Sequence, residues 1–351
     1  MSLLEKLKKN STIKDSAILA NSKFFNDKDV ISTSIPMVNV AFSGQLDGGF
    51  TPGLTMWAGP SKHFKTAFSL LMAKSYMEKY DDAILLFYDS EFGTPIKYFE
   101  TFNIDMNRVL HTPLTDIEQL KFDIMNQLQE INRGDHLIIV LDSIGNLASK
   151  KEVEDALNEK SVADMSRAKQ VKSLFRMITP HLTLKDIPMV VVNHTYKEIG
   201  MFPKDIVGGG TGSYYSADNI YILGRQQEKD GTEITGYNFI INVEKSRYVK
   251  EKSKIPISVA FEGGIQKYSG ILDIAIEGGF VQKPSNGWYS LVDMETGEMG
   301  DKKRLSDTQT PEFMEPLLNN VKFQEYVKKK YEIAYGSIMG ETPILEIEEE
   351  A

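Results

Sequence analysis

The stretch LTMWAGPSKHFKT, residues 54–66, decides how the rest of the chain is read. Leu54–Ala58 is a strand-length apolar run, and the octet that starts at Gly59 leads directly into a helical pattern over Ala67–Tyr80. Strand, glycine-led loop and helix in succession cradle phosphates, because loop N–H groups and the positive helix end converge on one anion. The consensus for such a loop is G-x-x-x-x-G-K-[ST]. Gly59, Lys65 and Thr66 fit it; Pro60, Ser61, Lys62 and His63 fill the free positions; Phe64 stands where the second glycine is expected. Lys65 is placed to reach β and γ phosphate oxygens, and Thr66 is the natural Mg2+ ligand.

Outward from this loop, Ile84–Tyr88, Leu137–Leu141, Met189–Val192 and Ile220–Leu223 are further short runs rich in Ile, Leu and Val. Such runs belong to strands buried on both faces, and helical patterns such as Ile117–Ile131 supply the crossovers of a parallel sheet. Tyr237–Val243 and Ile255–Phe261 flank a charged turn and predict an antiparallel edge. Beyond about residue 265 come a helix-like stretch (Ser269–Glu277), the turn Pro284-Ser285-Asn286-Gly287 and a charged helical tail. The expected organisation is an arm at 1–30, an α/β core with a mostly parallel sheet at 31–264, and a small α/β C-terminal domain at 265–351. Glutamates between Glu341 and Glu350 give that domain an acidic end, read as a solvated tail.

Two strand ends add acids. Leu137–Leu141 runs into Asp142-Ser143, which delivers a carboxylate to the Mg2+ side of a phosphate site. Ile84–Tyr88 runs into Asp89-Ser90-Glu91, where Glu91 is placed to hold and deprotonate an attacking water. A single strand-end acid is commonly a cap or turn residue. Three strand ends carrying complementary phosphate chemistry predict an ATPase.

With 351 residues, 41% of them apolar, the chain is long enough for one substantial core and a second small one. No run approaches the roughly 18 apolar residues of a membrane span. The start, MSLLEKLKKN, turns polar too early for a signal peptide. The absence of cysteine excludes disulfides and thiolate metal sites, and fits a cytoplasmic location, the bacterial host's if the chain is phage-encoded. A net charge of −9 gives no reason by itself to expect nucleic acid.

Taken together, GPSKHFKT (59–66), LLFYDSEFG (85–93), IIVLDSIGNLASKKE (138–152), VVVNHTY (190–196), VGGGTG (207–212) and INVEKSRYVKEKSK (241–254) resemble the RecA family. The likeness is to the UvsX recombinases of T4-like bacteriophages in particular, and it continues through YSGILDIAIEGGFVQKPSNGWYS (268–290). It implies a RecA-like fold, ATP and Mg2+, and the Phe64 departure belongs to the phage branch. It also implies Glu91 as general base, Asp142 as the Mg2+-side acid joined to Ser143 by a cis peptide, and Tyr98 stacked on adenine. His194 matches the glutamine that senses the γ phosphate, with Asn193 as the other candidate. Tyr98 also fits plain core packing, and His194 a structural histidine.

Two segments resemble the family's DNA loops. Between residues 160 and 176, Lys160, Arg167, Lys169, Lys172 and Arg176 stand against Asp164 alone. Gly208-Gly209-Gly210-Thr211-Gly212 contains too many glycines to favour helix or strand, and suits close approach to a phosphate backbone. Without the resemblance, a solvated helix face and a plain loop serve as well. Lys245 and Arg247 match two basic residues that reach the neighbouring subunit's ATP, although a charged hairpin tip is the bland alternative. The arm, amphipathic through Leu3, Leu4 and Leu7 and followed by Phe24-Phe25, suits docking on a neighbour in an open head-to-tail filament.

The resulting expectation is a recombinase: an ATPase that polymerises on single-stranded DNA and exchanges strands with homologous duplex DNA, assisted by a single-strand-binding protein and a mediator. A hexameric helicase shares the core but usually carries a separate helical N-terminal domain and linker, against about 30 residues before the core in this sequence. A mediator without hydrolysis is disfavoured by intact Lys65, Glu91 and Asp142.

Overall fold

In the computed structural model the described residues are 2–13, 16–22, 28–158, 166–198, 205–230, 233–260 and 264–333. The first elements are helix α1 (Leu3–Asn10), helix α2 (Pro36–Ser43), strand β1 (Gly53–Ala58), helix α3 (Lys65–Lys79) and strand β2 (Ile84–Asp89). Then come α4 (Ile96–Thr101), β3 (Val109–Pro113), α5 (Ile117–Glu130), β4 (Leu137–Asp142), α6 (Lys150–Leu157) and α7 (Ser166–Lys185). The core continues with β5 (Pro188–Asn193), β6 (Thr195–Lys197), β7 (Asp205–Val207), α8 (Gly210–Ser216), β8 (Asn219–Asp230), β9 (Glu233–Lys245), β10 (Lys254–Ala260) and β11 (Gly264–Ile265). The nine-stranded sheet has the order β11-β10-β9-β8-β1-β5-β4-β2-β3. From β8 to β3 all pairings are parallel, and from β8 to β11 they are antiparallel.

Every residue of β1, β4 and β5 is buried, which explains their unbroken apolar runs. Side chains alternate between two cores. Trp57, Phe87 and Val140 face α2 and α3 on one side, whereas Met56, Leu86 and Leu141 face α5 and α7 on the other. Crossover helices on both faces leave the carboxyl ends of the parallel strands as the place where loops can build a site.

Three features depart from the reading of the sequence. Strand β3 lies outside β2 at the sheet edge, with Leu110 and His111 exposed, so it lacks the apolar continuity of its neighbours. Strand β8 runs on through the polar segment Arg225–Asp230, held by antiparallel pairing with β9, and its residues 225–228 are exposed. The glycine stretch expected to avoid regular structure opens helix α8 instead. Gly209, at φ +87°, precedes its first turn, and Ser213 Oγ donates to the Gly210 carbonyl at 3.0 Å. A Cβ on Gly212 would lie 2.6 Å from Lys172 Cβ, so a small residue is what lets α8 press against α7.

The C-terminal part begins with α9 (Ile271–Glu277) and an antiparallel sheet of β12 (Val281–Ser285), β13 (Trp288–Leu291) and β14 (Lys303–Arg304). Helices α10 (Leu305–Thr308), α11 (Pro311–Leu318) and α12 (Val321–Tyr331) complete it. Phe280, Phe313, Phe323 and Val327 join the core that contains α2 and α3. Helix α1 buries none of its residues, and Leu3, Leu4 and Leu7 are exposed. Phe24, Phe25 and the acidic C-terminal end lie outside the described residues. Among the described residues no helix is long and apolar enough to cross a membrane.

Candidate nucleotide site

The register of the sheet brings the candidate residues together. Asp89 pairs with Asp142 across β2 and β4, and Ala58 with Asn193 across β1 and β5, so adjacent strands end at one level. A cleft of about 260 Å³ opens there, lined by residues 61–67 of the loop with Glu91, Tyr98, Asp142 and His194.

The loop turns through two left-handed non-glycine residues, Lys62 (φ +60°) and Phe64 (φ +59°). That conformation costs an ordinary residue about 1–2 kcal/mol. Phe64 sits just before α3, whose N-terminus has no side-chain cap, so its first N–H groups remain available to an anion. Lys65 is buried, and its Nζ donates to the Pro60 carbonyl at 2.8 Å. Burial pushes its pKa below the usual lysine value, while the Glu91 and Asp142 carboxylates oppose that shift.

Thr66 Oγ1 donates to Asp142 Oδ2 at 2.6 Å, and the other carboxylate oxygen, Oδ1, is buried with no partner. Burial raises the Asp142 pKa to about 6, reinforced by the charges of Glu91 and Asp89, although the Thr66 hydrogen bond acts against it. A hydroxyl, an adjacent carboxylate and an orphaned buried oxygen suit a hard divalent cation. Among the described residues no cluster of three or more His, Cys, Asp or Glu could hold a metal by itself. Mg2+ fits this sparse set, because it keeps waters and takes phosphate oxygens as its remaining ligands.

Glu91 Oε1 accepts from Ser143 Oγ at 2.6 Å and lies 2.9 Å from His194 Nε2. The His194 contact first, then Ser143, hold its pKa below the ordinary glutamate value despite burial. Glu91 is thus ionised and oriented as a base requires. Residues outside the expected set arrange it. Asp89 Oδ1 accepts the N–H groups of Glu91 (3.0 Å) and Phe92 (2.8 Å). Ser90 Oγ donates to the Ser143 carbonyl at 2.7 Å and accepts the Ser143 N–H at 3.0 Å, clasping β2 to β4. The Asp142–Ser143 peptide is cis, as the resemblance implies. The strand-end string Asp-Ser-Glu facing Asp-Ser was the available signal, visible only once the strands are known to be adjacent.

At the end of β5 the neighbouring residues diverge. His194 turns to Glu91, whereas Asn193 Nδ2 donates to the Gly208 carbonyl at 2.8 Å, and the Gly208 N–H donates to the His194 carbonyl at 2.9 Å. One strand end therefore touches both the cleft and the glycine segment. Tyr98, on α4 and partly exposed, stands at the cleft mouth beside Thr94 and Pro95.

Other candidates lie elsewhere. Lys245 Nζ donates to the carbonyls of Tyr214, Tyr215 and Ala217 at the end of α8. Arg247 pairs with Asp218 at 2.6 Å, and Asp218 in turn accepts the Leu54 N–H. Both cations thus sit at the amino end of β1, opposite the phosphate loop. Arg167 turns inward, donating to the carbonyls of Ile144, Gly145 and Leu147. Lys169, Lys172 and Arg176 are exposed on α7, and Lys160 lies outside the described residues.

The family model of the RecA N-terminal domain matches residues 4–266. The chain belongs to the RecA family. A second model, the C-terminal domain of the bacteriophage T4 recombination and repair protein, matches residues 268–327 of this RecA-family chain. The recombination and repair protein of Enterobacteria phage T4 is 52% identical over 94% of this chain and 86% of its own length. Protein RecA of Bacteroides thetaiotaomicron is 26% identical over 90% and 93%, respectively. Protein RecA of Bdellovibrio bacteriovorus is 22% identical over 86% and 78%. For this RecA-family member the likeness therefore extends past the ATPase-type core into the C-terminal part.

Proposed function

We propose that this chain is an ATP-dependent DNA recombinase that forms head-to-tail helical filaments on single-stranded DNA and exchanges strands with a homologous duplex. The observation that carries the reading is the convergence of Lys65, the Thr66–Asp142 pair and Glu91 on one cleft. In this reading the loop N–H groups and Lys65 bind the β and γ phosphates of ATP, and Tyr98 stacks on the adenine. Thr66 and Asp142 would hold Mg2+, which would supply neutralising positive charge at the phosphate oxygens. Glu91, fixed by Ser143 and His194, accepts a proton from water as its oxygen attacks the γ phosphorus, and ADP departs. His194 senses the γ phosphate at Glu91, and Asn193 carries the change to Gly208 and so to the DNA-facing glycines 208–210 and 212 with Thr211.

Single-stranded DNA runs past these glycines and the exposed Lys169, with Lys160 close by in sequence; Arg167 serves by bracing the residues after β4. Lys245 and Arg247 lie at the opposite ends of the strands from their own phosphate loop, which supports a role at the neighbour's ATP. The arm at 1–30 links successive subunits, and a single-strand-binding protein and a mediator assist loading. Electron microscopy with ATP and single-stranded DNA tests the reading. Extended helical filaments are expected; closed rings would indicate a helicase, and no DNA-dependent assembly would overturn the proposal.

A further inference from the structure

The phosphate loop of this chain keeps its shape without the glycine that normally supplies it, and strands β8 and β9 show how. Both run past the end of β1 and form a two-stranded wall beside the loop, with Arg225 directly opposite Phe239 in the antiparallel register. Opposite residues of such a pair project from the same face, and Tyr237, two residues from Phe239, shares it. The Phe64 ring packs on the fully buried Phe239 with centroids 5.0 Å apart, and the His63 ring meets the same phenylalanine edge-on at 6.5 Å. Arg225 lies over the Tyr237 ring at 4.7 Å and donates from Nη1 to the Lys62 carbonyl at 3.0 Å. The two left-handed residues of the loop, Lys62 and Phe64, are thus each gripped from the wall.

We infer that Phe239 and Arg225 are positioning residues for nucleotide binding. They hold the loop with its N–H groups aimed inward, replacing the conformational freedom of a glycine at position 64 by external packing. Neither touches the cleft, so neither is catalytic. A loop whose closing residue carries a ring can be levered from outside, as a glycine loop cannot. Loss of the wall contact lets the loop sample closed-off forms, and only the fraction in the phosphate-ready form binds ATP. The inference rests on the reading of residues 59–66 as a nucleotide phosphate loop.

The test is a double-mutant cycle in the full chain, reading DNA-stimulated ATP hydrolysis with Mg2+ as KM and kcat. Phe239→Leu should raise KM for ATP about fivefold, the scale of a lost aromatic pair, with kcat at saturating ATP within about twofold of the parent. In a Phe64→Gly background the same substitution should move KM by less than about twofold, because the ring it held is gone. A purely structural loss would lower the active fraction, and so kcat, at unchanged KM. Unchanged KM in folded Phe239→Leu, or an equal rise in both backgrounds, would overturn the inference. Should Phe239→Leu not fold, exposed Arg225→Gln serves: a KM raised about threefold at unchanged melting temperature supports the wall, and an unchanged KM refutes it. Lys65→Ala separates the layers. If it leaves turnover intact, the nucleotide reading itself fails; if it abolishes turnover while Phe239 and Arg225 variants behave as parent, only the positioning role fails.

Discussion

Asp142 shows how one residue carries opposing demands. Its raised pKa means that folding without a cation favours the protonated carboxyl relative to the unfolded chain, so the ionised form carries a cost. For an acid shifted upward, stability is greatest below the unfolded value and is lost as pH rises towards about 6. Asp142→Asn should therefore stabilise the cation-free protein at pH 7.5, by up to about 3 kcal/mol, while removing Mg2+-dependent nucleotide binding. Thermal melts with and without Mg2+ check both halves. In the parent chain Mg2+ must compete with that proton, so its support of nucleotide binding should weaken between pH 7 and pH 5. Glu91 behaves in the opposite sense, being held ionised, and Glu91→Gln should bind ATP normally yet hydrolyse it about 10²–10⁴-fold more slowly. Equal single-turnover rates in parent and variant would remove Glu91 from the chemistry. Lys65, Thr66, Glu91 and Asp142 were legible because their place relative to a strand end defines them. The parts of Asp89, Ser90 and Ser143 were not, since they depend on β2 lying beside β4, which no local pattern encodes.

Among the elements, the central strands were legible from apolar runs alone, because burial on both faces leaves no polar alternation to blur them. Strand β3 escaped, being half exposed, and so did the extension of β8, whose polar residues are kept in line by β9. Helix α8 is the sharper lesson. Gly210 and Gly212 oppose helix formation locally, but contact with α7 at Lys172 rewards the missing side chain. Gly209 and Gly210 both adopt positive φ, so the double replacement Gly209→Val/Gly210→Val should distort the start of α8. DNA affinity should fall at least about tenfold at matched salt, with ATP binding in the absence of DNA retained. Unchanged DNA affinity in a fluorescence anisotropy titration would take this segment out of the DNA interface.

At the scale of the whole molecule, the separation of Lys245 and Arg247 from their own phosphate loop yields a complementation experiment. A Lys245→Ala/Arg247→Ala variant and Glu91→Gln should each hydrolyse ATP poorly. An equimolar mixture should recover activity where an intact Glu91 meets intact partners from the next subunit. A co-assembled mixture no better than its components would place the cations outside the shared pocket. Net charge, by contrast, was a poor guide at this scale: a chain at −9 says nothing about where a few lysines collect on one helix.

The placement of those two cations at the far end of β1 carries an arithmetic of its own. If catalysis happens only where one copy's loop meets the next copy's cations, an open row of n molecules holds n − 1 working junctions, and a solitary molecule holds none. Turnover then counts joints rather than protein. It should rise faster than linearly with dilute chain concentration, and each break in a long row should silence one more site. A row that shortens spends nucleotide more slowly for every molecule it contains, so growth and fuel consumption are tied together by geometry alone.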